Sequence, residues 1–297
     1  MDLSRVEKTI QGFIESLNNV SVNEMYKKLP KGKMLRARLI KMIALDSALG
    51  DKVAAIIEMI HLSSLLHDDV IDEAATRRGE PSINALYSSK HAVMLGDIFY
   101  SKAFYELSSM DEKVAKSISS AVTKLSIGEL MDVELANSFN EDAELYYEMI
   151  YLKTASLIEA TAHCAAIISD KNEDDYKIFG KNLGIAYQII DDILDVTQDE
   201  KTLGKPAFSD FKEGKTTLPF IIMHERVDEK DKKYLKSLFK KELAQDEIAW
   251  IKDKLNSTDA IKFSKQKAKE LAIEASLKAK NNKELLSLID GMINRSY

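Results

Sequence analysis

The sequence predicts an all-α protein, and three observations carry that reading. Only four prolines and eleven glycines punctuate the 297 residues, which leaves long stretches free to run as helices. Apolar residues recur every three or four positions from the start: Leu3, Val6, Ile10, Phe13, Ile14 and Leu17 fall on one helical stripe. No segment sustains the alternation of apolar and polar residues that marks a half-buried strand. The same helical spacing returns in Leu145, Met149 and Leu152, in Tyr234 and Leu238, and in Ile261, Ala268 and Leu271. Ten or more helices are expected.

Punctuation falls at Leu29 to Gly32, at Arg77 to Pro81 and at Lys201 to Gly214. Each break is basic and carries glycine or proline. No Ser/Gly-rich or Pro-rich linker divides the chain, so residues 1–297 read as a single domain. From Asp228 onward the sequence is rich in Lys and Glu and carries no recognisable chemistry; it reads as solvated amphipathic helices.

With 45% hydrophobic residues the chain can bury a large core. A net charge of −6 argues against a nucleic-acid binder. A phosphorylated substrate is still open to an acidic chain if metal ions or local cations supply positive charge. The single cysteine, Cys164, cannot form an internal disulfide and suits a reducing cytoplasm. The first residues lack a basic stretch followed by an apolar core, and no apolar run nears the roughly 20 residues of a membrane-spanning helix. A cytoplasmic protein with at most peripheral membrane contact is expected.

Two aspartate clusters carry the chemistry. Asp68, Asp69 and Asp72 form the first; Asp191, Asp192 and Asp195 form the second. First and last acids are four apart, which stacks like charges on one helical face at a cost. Apolar runs precede both, Ile60 to Leu66 and Ile185 to Ile190, so each helix is expected to be buried and to deliver its acids to a cavity mouth. Hard oxygen donors without cysteine select Mg²⁺ or Ca²⁺ over Zn²⁺. Mg²⁺ takes one or two carboxylates and completes its shell with water and phosphate. Basic residues accompany the acids: Lys33 and Arg36, Arg77 and Arg78, Lys153, and Lys205 and Lys215 flanking Asp210. Arg grips phosphate oxygens bidentately and Lys acts as a mobile point charge. Acids and cations together imply diphosphates held between metal and protein.

From about Gly32 to Pro219 the sequence resembles the trans-type polyprenyl synthetase family. Leu66 to Gly79 is similar to that family's first aspartate-rich motif, and Tyr187 to Asp195 to its second. Leu95-Gly96-Asp97, Gly128-Glu129, Lys153-Thr154, Gly204-Lys205-Pro206 and Lys215 to Pro219 match the landmarks between and after them. The resemblance implies a helical bundle around a central cavity, a homodimer, and three Mg²⁺ ions per active site. It implies the head-to-tail joining of isopentenyl diphosphate to an allylic diphosphate. Asp68 and Asp72 would hold Mg²⁺ on the allylic diphosphate with Asp69 in support. Asp191, with Asp192 and Asp195, would hold a further Mg²⁺. Arg77, Lys153 and Lys205 would contact the allylic diphosphate; Lys33, Arg36, His61 and Arg78 would hold that of isopentenyl diphosphate. Thr154 and Gln188 would aim dipoles at the developing carbocation. Two positions depart from the pattern: Met34 replaces a basic residue, and Ala37 a proline. Cys164 and His67 are expected to be packing residues.

Product length is read from steric room. In the resembled family, bulky side chains four or five positions before the first aspartate give short products; here those positions hold Ser64 and Ser63, roughly 6–8 Å down the helix at a 1.5 Å rise per residue. A long product in the C30–C50 range, suited to quinone side chains, is expected. The floor would then lie deeper, among Ile56, Ile60, Phe104 or Met131. A farnesyl or geranylgeranyl synthase is the short-chain alternative. A terpene cyclase would leave Lys33, Arg36 and Arg78 idle and usually carries a different second motif. A non-catalytic subunit would not need both acid clusters intact.

Overall fold

Helices make up nearly all the regular structure of residues 1–198, 207–279 and 281–293, the part of the chain that the computed structural model describes. In chain order they are α1 (Ser4–Glu15), α2 (Val20–Lys28), α3 (Leu35–Ala44), α4 (Ala48–Ile71), α5 (Ile83–Leu86), α6 (Ser89–Leu107), α7 (Glu112–Leu135), α8 (Ala143–Ile150), α9 (Ser156–Ile167), α10 (Glu173–Thr197), α11 (Ser209–Glu213), α12 (Leu218–Arg226), α13 (Glu229–Leu238), α14 (Gln245–Ser257), α15 (Ala260–Lys278) and α16 (Lys283–Ile293). A single turn of π-helix, Tyr151–Ala155, joins α8 to α9. Among the described residues no helix is long and apolar enough to cross a membrane.

One departure from the all-helical reading is a minimal antiparallel hairpin, β1 (Thr76–Arg77) and β2 (Glu80–Pro81). Its two loop residues, Arg78 and Gly79, both have positive φ, at 54° and 78°. That is the backbone a two-residue hairpin needs and the reason a glycine stands at the second place. Two-residue strands are too short to leave an alternating pattern in a sequence.

The chain forms two compact units. The first comprises Met1–Val122 and Leu157–Lys177. Its axis is α4, against which α1, α3 and α6 pack. Every residue from Val53 to Ile60 is buried, and all of them but Glu58 and Met59 are aliphatic, so the helix is covered on all sides along this run and its aspartate cluster emerges at the far end. Ser47 caps its start by accepting from the Gly50 N–H at 2.9 Å. Ser63 donates to the Gly96 carbonyl of α6 at 2.6 Å. A Cβ on Gly96 would lie 2.4 Å from His67 Nε2, so the glycine is what lets the two helices meet. His67 also reaches the Val93 carbonyl at 3.3 Å and lies against the Tyr100 ring. It is a packing residue, as expected.

The second unit comprises Thr123–Ser156 and Ile178–Tyr297. Its core is aromatic: Phe208, Phe211, Phe220 and Met223 lie with Leu235, Leu238, Ile251 and Leu255. Phe211 and Phe220 stack at 4.2 Å between ring centroids. The helices from Asp228 onward are amphipathic as the composition predicts, and their buried faces complete this core. The break expected from Lys201 to Gly214 is interrupted by α11, which starts at Phe208 in the left-handed region (φ 62°); residues 201–206 lie outside the described part.

Cys164 is fully buried on α9, and that burial pushes its thiol up to about 12. Below the ordinary thiol range of about 8.5 it is neutral both folded and unfolded. Between there and pH 12 the unfolded chain ionises while the folded chain cannot, so stability falls across that window. At pH 8 a thiol reagent such as dithionitrobenzoate is expected to leave the native protein unmodified and to titrate one thiol in denaturant. Rapid native labelling would contradict the burial.

Candidate active site

In the first unit, the last turn of α4 presents Asp68 and Asp69, and Asp72 ends the helix with its N–H on the Asp68 carbonyl at 2.8 Å. Asp68 and Asp72 are half-buried. Asp69 is only 3% exposed and points elsewhere: its Oδ1 accepts from Arg77 Nε at 2.7 Å. Burial pushes its carboxyl up, and the Arg77 guanidinium pulls it back. The hairpin that carries Arg77 is pinned to the helix end. Asn84 donates to the carbonyls of both Asp69 and Ala74, at 3.1 and 3.0 Å, and Ser82 donates to that of Ala74 at 2.7 Å. The acidic helix end and the arginine turn are therefore one rigid piece.

Arg78 folds back the other way, and its guanidinium lies where a Cβ on Gly32 would be, 2.6 Å from Nη1. It donates to the Pro30 carbonyl at 3.4 Å. His61, two turns before the aspartates, lies in the field of Arg36, Arg78 and Arg77; desolvation first and then those charges hold its imidazole well below its ordinary value. It is neutral at pH 7. Arg36, His61 and Arg78, expected together, are together. Lys33 is exposed just ahead of α3. Sequence reasoning missed Glu58, buried one turn before His61, whose Oε1 accepts from the Ala37 N–H at 2.9 Å.

In the second unit, Lys153 and Thr154 sit on the π turn rather than in an ordinary helix. Two glycines clasp that turn. A Cβ on Gly128 of α7 would lie 2.2 Å from the Lys153 backbone nitrogen, and one on Gly184 of α10 would lie 2.6 Å from Ala155 Cα. A π turn inserts one residue into the helical path and re-aims the side chains after it. Lys153 Nζ meets Asp132 at 2.6 Å and Glu129 at 2.8 Å; neither acid was anticipated as its partner.

Thr154 Oγ1 donates to Gln188 Oε1 at 2.9 Å, Gln188 Nε2 donates to Asp192 Oδ1 at 2.8 Å, and the Tyr146 hydroxyl donates to Asp192 Oδ2 at 2.6 Å. Asp192 is 3% exposed and burial, then the Asp210 charge, pushes its carboxyl up to about 8. Read from sequence as a metal ligand, it also anchors a hydrogen-bond chain, with one protein donor on each of its oxygens. Asp195, 2% exposed, accepts from Ser209 Oγ at 2.9 Å and from the Asp210 N–H at 3.4 Å, and so fastens α11 to α10. Asp191 alone of the three is exposed. Lys215 pairs with Glu213 at 2.7 Å; Lys205 lies outside the described residues. Tyr146 was legible only once the fold was known, and so was the tie between Asp210 and Asp195.

Among the described residues no three His, Cys, Asp or Glu side chains form a metal-holding group by themselves. The donor set nevertheless fits Mg²⁺: half-exposed carboxylates one helical turn apart, with no thiolate near and His67 engaged elsewhere.

An all-helical chain bearing two acid-tipped, buried helices and fixed arginines has the isoprenoid-synthase architecture. Residues 19–255 match the polyprenyl synthetase family, and the chain belongs to it. It is a trans-prenyltransferase. The crystal structure of octaprenyl pyrophosphate synthase from Helicobacter pylori is similar over 99% of this chain and 100% of that one, at 41% identity and a TM-score of 0.94. Octaprenyl diphosphate synthase from Escherichia coli K12 is 34% identical over 228 residues, 75% of this chain and 70% of that protein. Geranylgeranyl diphosphate synthase from Sulfolobus acidocaldarius is 36% identical over 248 residues, 78% of this chain and 73% of that protein.

Gly128→Ala should force apart the α7 backbone and the π turn. An unfolding free energy lower by about 1–3 kcal/mol is expected, read by denaturant titration, with a loss of transferase activity beyond that of a surface Gly12→Ala control, where a Cβ meets nothing within 4 Å.

Proposed function

We propose that this transferase adds isopentenyl diphosphate head to tail to an allylic diphosphate and makes a long product, in the C30–C50 range. The observation that carries the reaction is that each unit holds, besides its acid cluster, a cation fixed by counter-charge: Arg77 on Asp69 in one unit, Lys153 on Glu129 and Asp132 in the other. Groups held in place before substrate arrives lose little entropy on binding it. Asp68 and Asp72, and Asp191, would hold Mg²⁺, three ions in all, with Asp192 and Asp195 ordering the second site. When bound, the ions neutralise charge on the departing diphosphate.

Arg77, Lys153 and Lys205 receive the allylic diphosphate, with Lys215 as a further substrate-binding cation. The allylic C–O bond breaks, and its electron pair leaves with the diphosphate. The alkene of isopentenyl diphosphate, held by Lys33, Arg36, His61 and Arg78, attacks the allylic carbon. A proton then leaves the carbon beside the new cation and restores a double bond; the released diphosphate is the nearest base. Gln188, oriented by Asp192 and Thr154, turns dipoles rather than a nucleophile toward the cation. Neutral His61 can donate a hydrogen bond to an anion without adding a third positive charge to Arg36 and Arg78.

Chain length rests on Ser64, one turn below Asp68. Its hydroxyl turns back onto the His61 carbonyl at 2.9 Å and leaves no bulk there. Ser63 is small for another reason, the close approach of α6 at Gly96. Ile56 and Ile60 are fully buried in the α4 core; one of these, or Phe104 or Met131, remains the proposed floor. The short-chain alternative stands on the geranylgeranyl synthase relative. The family match runs across both units, which supports one synthase domain. A homodimer is supported by Ile127, Leu130 and Val133 of α7, 51%, 59% and 45% exposed on one stripe. The lone buried cysteine suits the cytoplasm.

Purified protein given farnesyl diphosphate, labelled isopentenyl diphosphate and Mg²⁺ is expected to yield a ladder ending at C30 or beyond. Termination at C15 or C20 would keep the reaction and sink the long-chain reading; no product with any primer would sink both.

Ser64→Phe is expected to shorten the product by two or more isoprene units with folding intact. Ser63→Phe is expected to unfold the protein, since its side chain meets the α6 backbone. Product chromatography and thermal melts distinguish the two.

A further inference from the structure

The start of α3 is capped in an unusual way. Its N-cap residue, Met34, is in the left-handed region (φ 48°) and makes no side-chain cap. Ser, Thr, Asp or Asn would ordinarily supply that bond. The third N–H of the helix, on Ala37, is fully buried and is satisfied instead by Glu58, reaching across from α4 over 21 positions of sequence. Glu58 is 5% exposed. Burial pushes its carboxyl up; Arg36, the Ala37 N–H and Arg78 pull it back.

A buried carboxylate is costly unless paired, and this one lies in the field of Arg36 and Arg78, the two guanidiniums assigned to the diphosphate of isopentenyl diphosphate. Without an anion, Arg36 and Arg78 would repel each other and swing toward water. Arg78 already sits in a strained, positive-φ turn and is pressed against Gly32. The Glu58 carboxylate, fixed on the Ala37 N–H next to Arg36 in sequence, supplies a negative charge that attracts both, and a carboxylate at a helix N-terminus is itself favourable.

We propose that Glu58 is a positioning residue for isopentenyl diphosphate: it fixes the start of α3 through the Ala37 N–H and holds Arg36 and Arg78 converged on one diphosphate. This rests on the assignment of Arg36 and Arg78 given above. Glu58 touches no reacting atom. Its effect belongs in the KM of one substrate, not in the chemical step.

The test separates cap from charge. Glu58→Gln keeps an oxygen to accept from Ala37 and removes the charge; Glu58→Ala removes both. Glu58→Gln is expected to melt near the parent temperature and to raise the KM for isopentenyl diphosphate about tenfold. The KM for farnesyl diphosphate and kcat should stay within twofold. Glu58→Ala is expected to show the same KM defect and a clear drop in melting temperature. Calorimetric binding of isopentenyl diphosphate alone should weaken in parallel. If Glu58→Gln restores both stability and KM, Glu58 is a structural cap only and the proposal fails. If its KM for isopentenyl diphosphate falls, Glu58 opposes the anion and the proposal fails. Arg36→Gln is the reference. Should it raise the KM for farnesyl diphosphate instead, the subsite assignment is wrong. Glu58→Gln shifting that same constant would then still show that Glu58 positions Arg36.

Discussion

The buried carboxyl of Asp192, taken up by the Tyr146 hydroxyl on one oxygen and the Gln188 amide on the other, is the constraint from which the polar interior of the second unit is built. Gln188 has only one way to turn once its amide nitrogen is committed there. Its carbonyl then meets Thr154, and Thr154 can be there only because the chain makes a π turn. The π turn exists only where two glycines let neighbouring backbones press against it. Polar groups in a dry interior must all be satisfied or the arrangement is worse than an apolar one. This chain meets that condition from helix to helix.

The same logic governs the cations. Three of the cations proposed to meet a diphosphate lie beside an acid of their own unit: Arg77 on Asp69, Lys153 on Glu129 and Asp132, Lys215 on Glu213. A net negative protein that binds highly charged anions faces a difficulty of long-range repulsion. Fixing its cations locally answers it, because at short range geometry outweighs the screened field of the remaining charge.

The helical fold and the two acid clusters were open to inspection in the sequence, because period and spacing encode them directly. What the acids do was not. Asp191, Asp192 and Asp195 are the same letter within five positions, yet one is exposed and two are buried. Which acid turns inward depends on Tyr146 and Ser209, residues that no local pattern connects to them. The π turn has no signature of its own, since Lys153 and Thr154 continue an apolar helical stripe. Glu58 reads as one charge in a buried run, and its partner at Ala37 is far away in sequence. Ser63 and Ser64 look equivalent, and only the position of Gly96 separates packing from pocket. Lys205 was named from a motif and lies beyond the described residues.

The aromatic core behind the second cluster gives the least distinctive part of the sequence an unexpected importance. Phe208 and Phe211 bracket Asp210, and what covers them is Leu235, Leu238, Ile251 and Leu255, from the Lys- and Glu-rich helices that carry no motif. A clone shortened within those helices would retain every recognisable acid and still lose the support that sets their aim. For anyone trimming this enzyme to a minimal catalyst, the boundary is drawn by hydrophobic cover and not by the last residue that does chemistry.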